Sequence, residues 1–418
     1  MDRILIRGGR KLQGSVKVSG AKNSALKLLF STILAEGEHT FNNVPELKDI
    51  ESTISLLQSM GSEAFRDGKC VRVISKRPHS FEAHYDVVRK MRASILCLGP
   101  LLTKYGEAQV SLPGGCAIGS RPINLHLDGL KALGADIELK EGYVVAKAKR
   151  LIGAEILLPF ASVGATENIM MAATLADGTT TIDNAAKEPE IEDLANYLNK
   201  MGAKISGAGT AKIKIQGVDR LVPAEHSVIA DRIEAGTLLV AGAITGGEVR
   251  VENCIPEHID SLIFKLRESG FKMSTDKTSV SLAANSGGWR SVDITTAPYP
   301  GFATDLQAQF MSLMLLANGT STITETIFEN RFMHVNELVR LGAEVTTNLR
   351  IAIIHGKPNG LQGAPLMATD LRASASLVLA GLAAKGETIV SRIYHLDRGY
   401  EKLEEKLKGL GADIQRIK

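Results

Sequence analysis

The chain has 418 residues, enough for about two to four domains of ordinary size or for two large ones. Hydrophobic residues make up 44% of it and charged residues 23%, which excludes a disordered, collagen-like or disulfide-dominated chain. With 49 Lys and Arg against 46 Asp and Glu, the formal net charge is only +3, so no charge excess indicates a nucleic-acid partner.

Cysteine spacing and hydropathy narrow the class of protein further. The four cysteines lie at positions 70, 97, 116 and 254, and no C-x-x-C pair or Cys/His zinc pattern occurs. The first residues, MDRILIRGGRKLQG, lack the apolar core of a signal peptide, and no run approaches the ~18 apolar residues of a membrane span. We therefore expect a cytoplasmic protein that binds neither metal nor membrane.

A phrase of helix, glycine and strand recurs along the chain. It reads LLQSMGSEA, GLKALGADI, YLNKMGAKI, KLRESGFKM, LVRLGAEV and KLKGLGADI, and its glycines are 68 to 73 residues apart. Glycine at that place predicts a left-handed helix cap, and the apolar run after it predicts a strand. The phrase therefore predicts six repeats of about seventy residues, with glycines at Gly61, Gly134, Gly202, Gly270, Gly342 and Gly411.

A second helix rich in Ala, Leu and Met precedes each phrase. The six segments are Ala25–Gly37, Ala93–Gly106, Asn168–Gly178, Ala235–Gly247, Leu306–Gly319 and Leu371–Gly386, and a short β-prone run follows each. Their apolar composition indicates an inward position. The sequence thus predicts an α/β fold of six repeats, three in each of two domains, with a break near residues 217–230 and a ligand between the halves.

The loops carry the candidate chemistry. Cys116 lies in PGGCAIGSR, where flanking glycines and a nearby Arg121 are typical of a reactive thiol, although an incidental surface cysteine fits equally well. Cys254 occupies the comparable loop beside carboxylates, which disfavour a thiolate.

Basic side chains stand at loop and helix-start positions. Each alone is typical of a solvated surface charge, whereas together they predict a pocket for phosphate or carboxylate. They are Lys22, Arg92, Arg121, Arg372 and Arg398, with Arg331 a weaker sixth. Asp305 and Asp370 precede apolar helices, so each is either a helix N-cap or a general base. His126 has a structural role or a ligand contact.

Eight ordered segments resemble one family along the whole chain. They are SGAKNSALKLL, RKMRASILCLGPLL, SLPGGCAIGSRPINLHLDGLKALGA, ASVGATENIMMAATLA, YPGFATDLQAQFMSL, TIFENRFMHVNEL, TDLRASASLVLAGL and IYHLDRGYEKLEEKL. The chain resembles the UDP-N-acetylglucosamine 1-carboxyvinyltransferase family of enolpyruvyl transferases. The resemblance implies two inside-out α/β barrels of three repeats each, formed by residues 21–229 and by residues 1–20 with 230–418, and an active site in the cleft between them.

The resemblance also implies a reaction. The enolpyruvyl group of phosphoenolpyruvate is transferred to the 3′-hydroxyl of UDP-N-acetylglucosamine, and phosphate is released by addition and then elimination. This is the first committed step of peptidoglycan precursor synthesis, which the cell needs for wall biogenesis, shape and division. The two substrates are the expected partners, and no cofactor is implied.

Residue roles follow from the resemblance, position by position. Cys116 is the implied general acid, Asp305 the hydroxyl base, and Lys22 a catalytic cation. Phosphoenolpyruvate ligands are implied at Lys22, Asn23, Arg121 and Arg398, with support from Asp370 and Arg372. Contacts to the UDP-sugar are implied at Arg92, Arg121, Pro122, Ile123, Asn124, Leu125, Ser162, Val163, Asp305 and Ile327.

The chain departs from the family pattern at three positions, and two other functions remain as alternatives. The family often has Lys where this chain has Phe160, Asp where it has Asn124, and Trp where it has Leu96. The nearest rival is 3-phosphoshikimate 1-carboxyvinyltransferase, whose serine-rich S-K-S segment contrasts with Ala21-Lys22-Asn23-Ser24 here. The other rival is a non-catalytic homologue that binds nucleotide sugars.

Overall fold

The computed structural model describes residues 2–83, 85–88, 91–112, 123–358 and 360–418. These residues form two compact units. We call the described residues of 20–229 the amino-terminal unit, and residues 2–19 with 230–418 the carboxyl-terminal unit. Each unit has its own hydrophobic core.

Short strands and helices alternate along the first 229 residues. The strands are β1 (Arg3–Arg7), β2 (Gln13–Lys17), β3 (Gly37–Asn42), β4 (Glu63–Asp67), β5 (Cys70–Ser75), β6 (Glu82–Ala83), β7 (Glu107–Ser111), β8 (Asp136–Lys140), β9 (Tyr143–Lys147), β10 (Glu155–Leu157), β11 (Thr179–Asp183), β12 (Lys204–Ser206), β13 (Lys212–Gln216) and β14 (Glu225–Ser227). The α-helices are α1 (Lys22–Ser31), α2 (Lys48–Ser59), α3 (Tyr85–Val88), α4 (Leu98–Tyr105), α5 (Asn124–Ala132), α6 (Val163–Ala173) and α7 (Pro189–Lys200), and 3-10 helices cover Thr32–Leu34 and Arg92–Cys97.

The same alternation continues to the carboxyl terminus. The strands are β15 (Glu248–Glu252), β16 (Lys272–Thr275), β17 (Ser279–Ala283), β18 (Ile294–Thr295), β19 (Gly319–Thr324), β20 (Glu344–Asn348), β21 (Ile351–Gly356), β22 (Pro365–Met367), β23 (Glu387–Ser391) and β24 (Asp413–Ile417). The α-helices are α8 (Arg232–Ile244), α9 (Asp260–Ser269), α10 (Gln307–Met314), α11 (Val335–Arg340), α12 (Leu371–Ala383) and α13 (Leu403–Gly409), and 3-10 helices cover Pro256–Ile259, Thr304–Leu306 and Ile393–Arg398.

Within the described residues, the strands form six four-stranded sheets of one plan. In each sheet an outer strand runs parallel to its neighbour, and two further strands continue the sheet in antiparallel fashion. The amino-terminal unit contains the orders β14-β3-β5-β4, β6-β7-β9-β8 and β10-β11-β13-β12. The carboxyl-terminal unit contains β16-β17-β15-β2, β18-β19-β21-β20 and β22-β23-β1-β24.

The first two strands complete sheets of the carboxyl-terminal unit. Strand β1 lies between β23 and β24, where Ile4 faces Val390 and Ile6 faces Ile414. Strand β2 runs parallel to β15. The repeat period alone does not predict this arrangement, because pairing partners nearly four hundred positions apart leave no periodic signal.

The predicted apolar helices are largely buried in each unit, which confirms the inside-out α/β fold. Every residue from Ile233 to Ile244 in α8 is buried, and α8, α10 and α12 pack against one another. Their predicted bounds were less accurate. Helix α1 begins at Lys22 rather than Ala25, and the second and fifth inner helices begin as 3-10 turns. Polar first turns such as Lys22-Asn23-Ser24 hide a helix start from a pattern based on apolar residues.

The six phrase glycines adopt the predicted left-handed conformation. Their φ angles lie between 90° and 115°, each just after an outer helix. A side chain is strained in this conformation, so glycine ends the helix there and allows the chain to turn into the next strand.

Candidate active site

Lys22 and Asn23 open helix α1 in the amino-terminal unit. No side chain caps this helix start. Lys22 is buried, and its Nζ lies 3.0 Å from Oδ2 of the buried Asp49. Asn23 is half-buried. An ammonium group in a mostly buried place needs a carboxylate partner, and Asp49 supplies one that fixes the direction of the Lys22 side chain.

The start of α6 offers backbone N–H groups to an anion. Ser162 is the N-cap and accepts a hydrogen bond from the backbone N–H of Ala165 at 3.4 Å. Ser162 and Val163 are half-buried, and Phe160 is 59% exposed just before them. The first-turn N–H groups and the helix dipole give this place a preference for negative charge.

His126 connects the start of α5 to the start of α6. Its buried ring accepts a hydrogen bond at Nδ1 from Asn168 Nδ2 at 3.1 Å and occupies the space beside Gly164 that a larger side chain would need. Burial, with a smaller effect of Arg92, lowers the pKa of His126 to about 4. The ring is therefore neutral and structural, and it brings the segments of Arg92, Leu125 and Val163 into one region of the unit.

The other predicted UDP-sugar positions of this unit that the structure describes lie at the starts of two helices. Arg92 is half-buried and opens the 3-10 helix Arg92–Cys97. Ile123 is the half-buried N-cap of α5, Asn124 is exposed, and Leu125 is buried. The predicted residues Cys116, Arg121 and Pro122 lie outside the described residues.

Asp305 is held between two arginines in the carboxyl-terminal unit. Arg331 Nη2 donates to Asp305 Oδ1 at 2.8 Å, and Arg372 donates to Oδ2 from Nη2 at 2.8 Å and from Nε at 3.1 Å. Both guanidinium groups are buried, with side-chain exposures of 3% and 6%, whereas the Asp305 side chain is 26% exposed. A carboxylate fixed in this way presents an accessible, oriented negative charge.

The alternative N-cap interpretation is wrong for Asp305 and correct for Asp370. Asp305 lies inside the 3-10 helix Thr304–Leu306, whose start no side chain caps. Asp370 is the N-cap of α12 and accepts hydrogen bonds from the backbone N–H groups of Arg372 and Ala373 at 2.9 and 3.0 Å. Asp370 thus fixes the helix turn from which Arg372 reaches Asp305.

Burial lowers the pKa of Arg372, but the nearby acidic groups, Asp305 first among them, outweigh this and raise it above its ordinary value. Arg372 is therefore permanently charged. Its Cζ lies 5.4 Å from the ring centroid of Tyr400, a cation–π contact that holds the guanidinium plane. His334, close to Arg331 and Asp370, has a pKa lowered to about 4 chiefly by burial, so it is neutral.

Two groups beneath Asp305 were missed by the sequence reasoning. Gln309 Nε2 donates to the backbone oxygen of Asp305 at 2.9 Å and to Tyr400 Oη at 3.0 Å. The buried carboxylate of Glu325 accepts hydrogen bonds from Thr304 Oγ1 and from the backbone N–H of Ile327, both at 2.8 Å. A glutamine inside the apolar run LQAQF was the one available signal.

Arg398 and Ile327, the remaining predicted positions, are half-buried in this unit. Arg398 ends the 3-10 helix Ile393–Arg398. The pKa of His395 is lowered chiefly by burial, then by the charge of Arg392, and to a smaller extent by the charge of Arg398. Ile327 belongs to the segment that Glu325 ties to the turn of Asp305. In the described part of the chain, no group of three His, Cys, Asp or Glu side chains could hold a metal ion, and no helix is long and apolar enough to cross a membrane.

Comparison with known proteins identifies the class. The family model of EPSP synthase (3-phosphoshikimate 1-carboxyvinyltransferase) matches residues 6–407. The enolpyruvyl transferase NikO from Streptomyces tendae superposes with a TM-score of 0.89 at 26% identity, over 100% of this chain and 99% of that chain. EPSP synthase from Acinetobacter baumannii shares the fold, with a TM-score of 0.77 at 20% identity over 100% of both chains. The class is that of the enolpyruvyl transferases.

Curated relatives narrow this class. A UDP-N-acetylglucosamine 1-carboxyvinyltransferase from Bdellovibrio bacteriovorus is 64% identical over 99% of this chain and 100% of its own length. The enzyme of that name from Geotalea daltonii is 57% identical over 100% of both. The chain therefore belongs to the UDP-N-acetylglucosamine 1-carboxyvinyltransferase branch of the EPSP synthase family, which confirms the resemblance read from the sequence.

Proposed function

We propose that this chain transfers the enolpyruvyl group of phosphoenolpyruvate to the 3′-hydroxyl of UDP-N-acetylglucosamine with release of phosphate. The observation that carries the proposal is full-length identity of 64% to a relative of that name, together with an oriented carboxylate of the kind that a hydroxyl acceptor requires. Each half of the reaction demands particular groups, and the candidate residues are of the types required.

The addition step needs a base for the hydroxyl and an acid for the methylene carbon. Asp305 is our candidate base: it is partly exposed, and its position is fixed from both sides by Arg331 and Arg372. As the 3′-oxygen forms its bond to C2 of phosphoenolpyruvate, its proton passes to Asp305. The C2–C3 double bond takes a proton at C3, for which Cys116 is the candidate donor.

The elimination step removes a proton from C3 instead of adding one, and the bond that it breaks is the one between C2 and the phosphate oxygen. One proton leaves C3, the C2–C3 double bond forms again, and the C2–O bond to phosphate breaks. Positive charge stabilises the leaving phosphate and the carboxylate of the intermediate. The proposed cations are Lys22, Arg121 and Arg398, with Asn23 as a neutral ligand and Arg372 and Asp370 in support.

The UDP-sugar needs contacts that recognise a diphosphate and a nucleoside. The N–H groups at the start of α6 fit the diphosphate, since Ser162 and Val163 are accessible there. The remaining proposed contacts are Arg92, Arg121, Pro122, Ile123, Asn124, Leu125, Asp305 and Ile327.

The deciding experiment measures phosphate release from phosphoenolpyruvate by the purified protein. UDP-N-acetylglucosamine and shikimate 3-phosphate are offered as acceptors in parallel. Release with the UDP-sugar alone supports the proposal, and release with shikimate 3-phosphate alone contradicts it in favour of the rival activity. Tight binding of the UDP-sugar without release would support the non-catalytic alternative.

We also propose a cytoplasmic location. Both substrates are anionic phosphate compounds that do not cross membranes unaided, and a peptidoglycan precursor enzyme must meet them where they are made. Cell fractionation with an antibody to the chain tests this, and recovery in the soluble fraction is the expected result.

A further inference from the structure

A buried ion pair links the two helices that open the proposed substrate subsites. Lys27 Nζ on α1 lies 3.1 Å from Glu167 Oε1 on α6, with side-chain exposures of 9% and 0%. Lys27 follows Asn23 by four residues, and Glu167 follows Val163 by four, so each partner lies one helical turn below a proposed substrate contact and on the same face.

Glu167 is the middle of three consecutive fully buried polar residues in α6. Thr166 Oγ1 accepts a hydrogen bond from the backbone N–H of Ala186 at 3.1 Å. Asn168 accepts one from the backbone N–H of Gly99 at 2.8 Å and donates to the backbone oxygen of Ile95 at 3.1 Å. Thr166 therefore fixes α6 against the segment of Ala186 in its own repeat, and Asn168 fixes it against the helix of the preceding repeat. Glu167 links α6 to α1, in the first repeat of the unit.

Stability alone does not account for a pair in this position. Taking two charges out of water costs several kcal/mol each, and apolar residues of similar volume often replace such a pair without loss of stability. A buried pair provides a defined geometry. Any arrangement that separates the partners leaves a buried charge uncompensated, and this raises the free energy of that arrangement. The neighbouring carboxylates of Glu188 and Glu190 strengthen this requirement, since they disfavour the charge of Glu167 unless Lys27 stays close.

We propose that the Lys27–Glu167 pair is a positioning device that holds the start of α1 and the start of α6 in one register. The inference rests on the proposed function, and it deepens that proposal. Lys22 and Asn23, which we assign to phosphoenolpyruvate, and Ser162 and Val163, which we assign to the nucleotide sugar, are thereby set in one fixed relationship. Neither partner of the pair is among the substrate contacts that we assign.

The test is a double-mutant cycle in the full-length enzyme. The variants are Lys27→Met, Glu167→Gln, their combination, and the reversed pair Lys27→Glu/Glu167→Lys. Lys265→Met is the matched control, because Lys265 pairs with Glu268 at 2.9 Å on the outer helix α9 of the other unit. The readouts are kcat, the KM of each substrate, and amide hydrogen exchange at residues 22–25 and 163–166.

Each single variant is expected to raise the KM of both substrates about three- to tenfold, with kcat within about twofold. The double variant is expected to match a single variant rather than their product, and the reversed pair to recover most of the loss. Amide exchange is expected to rise at both helix starts together. The control is expected to change neither KM.

Two results would overturn the inference. One is a lower unfolding temperature with both KM values unchanged, which would make the pair merely structural. The other is faster exchange at one helix start only. Wild-type turnover separately decides the proposed function, and hydrogen exchange reports on the pair whether or not the wild-type enzyme turns over.

Discussion

The carboxylate of Asp305 and the guanidinium of Arg372 are 67 positions apart in the chain, yet two nitrogens of Arg372 contact a single oxygen of Asp305, at 2.8 and 3.1 Å. Arg331 occupies the other oxygen. The two arginines therefore fix the direction of the carboxylate, and the proposed base is oriented before any substrate binds.

Arg372→Lys should lower kcat about 10- to 100-fold, because lysine keeps the charge but cannot place two donors on Asp305 Oδ2. Steady-state phosphate release at saturating substrates measures this. Arg340→Lys is the control, since Arg340 is 53% exposed and its nearest carboxylate oxygen, on Glu337, is 3.7 Å away. Equal losses in the two variants would contradict the assigned orientation of Asp305.

Stability should depend on pH through Glu167. Burial, opposed by Lys27, raises the pKa of Glu167 from 4.5 to about 7 in the folded chain. The folded state therefore binds this proton more tightly than the unfolded state, so the contribution of Glu167 is most favourable below its unfolded pKa and declines as pH rises through about 7. Each unit of pKa difference corresponds to about 1.4 kcal/mol.

Glu167→Gln removes this dependence, because glutamine does not ionise. The unfolding temperature of the variant, relative to wild type, should therefore rise between about pH 5 and about pH 8. Thermal unfolding across that range provides the measurement. Parallel curves for the two proteins would show that Glu167 does not titrate near neutrality.

Ser24→Ala should destabilise the amino-terminal unit by about 1–2 kcal/mol. Ser24 Oγ donates to Asp193 on α7, and Asp193 also accepts from His226 Nε2 at 2.8 Å, so the loss leaves a buried carboxylate short of a donor. Ser31→Ala is the matched control on the same helix, since the Ser31 hydroxyl donates to the backbone oxygen of Leu28 within α1. Urea unfolding midpoints compare the two, and similar losses would reject the role of Asp193.

Cys116→Ser should lower kcat about 100-fold or more, the usual contribution of a general acid, whereas Cys254→Ser should leave it nearly unchanged. Cys254 is buried, and burial together with nearby carboxylates raises the pKa of its thiol to about 11. Single-turnover and steady-state assays of both variants test the contrast. Equal effects would contradict the assignment of Cys116.

Phe160→Lys should lower the KM of UDP-N-acetylglucosamine about three- to fivefold at low salt, the effect of one exposed charge pair. Phe160 is 59% exposed beside the α6 start, where a lysine could reach a bound diphosphate. Phe264→Lys, at a site that is 64% exposed on α9, is the control. A gain that persists at high salt, or one that the control shares, would argue against a diphosphate contact there.

Local sequence signals predicted the scaffold well. The glycines from Gly61 to Gly411 recur because a helix that turns into a strand needs a left-handed residue, and this need depends only on neighbouring residues. The apolar inner helices were recognised for a similar reason. The apolar pattern placed the start of α1 at Ala25 rather than Lys22, because the first turn Lys22-Asn23-Ser24 is polar.

The amino-acid sequence by itself determined the six-repeat α/β architecture, the family and the set of candidate site residues, since periodicity and ordered motifs are properties of the linear chain. Only the tertiary structure decided which of those residues meet. Arg331 and Arg372 converge on Asp305, Asp370 caps the helix that carries Arg372, and Lys27 pairs with Glu167 across 140 positions. Such contacts join charges whose separation in sequence carries no pattern, and burial alone makes their pairing obligatory.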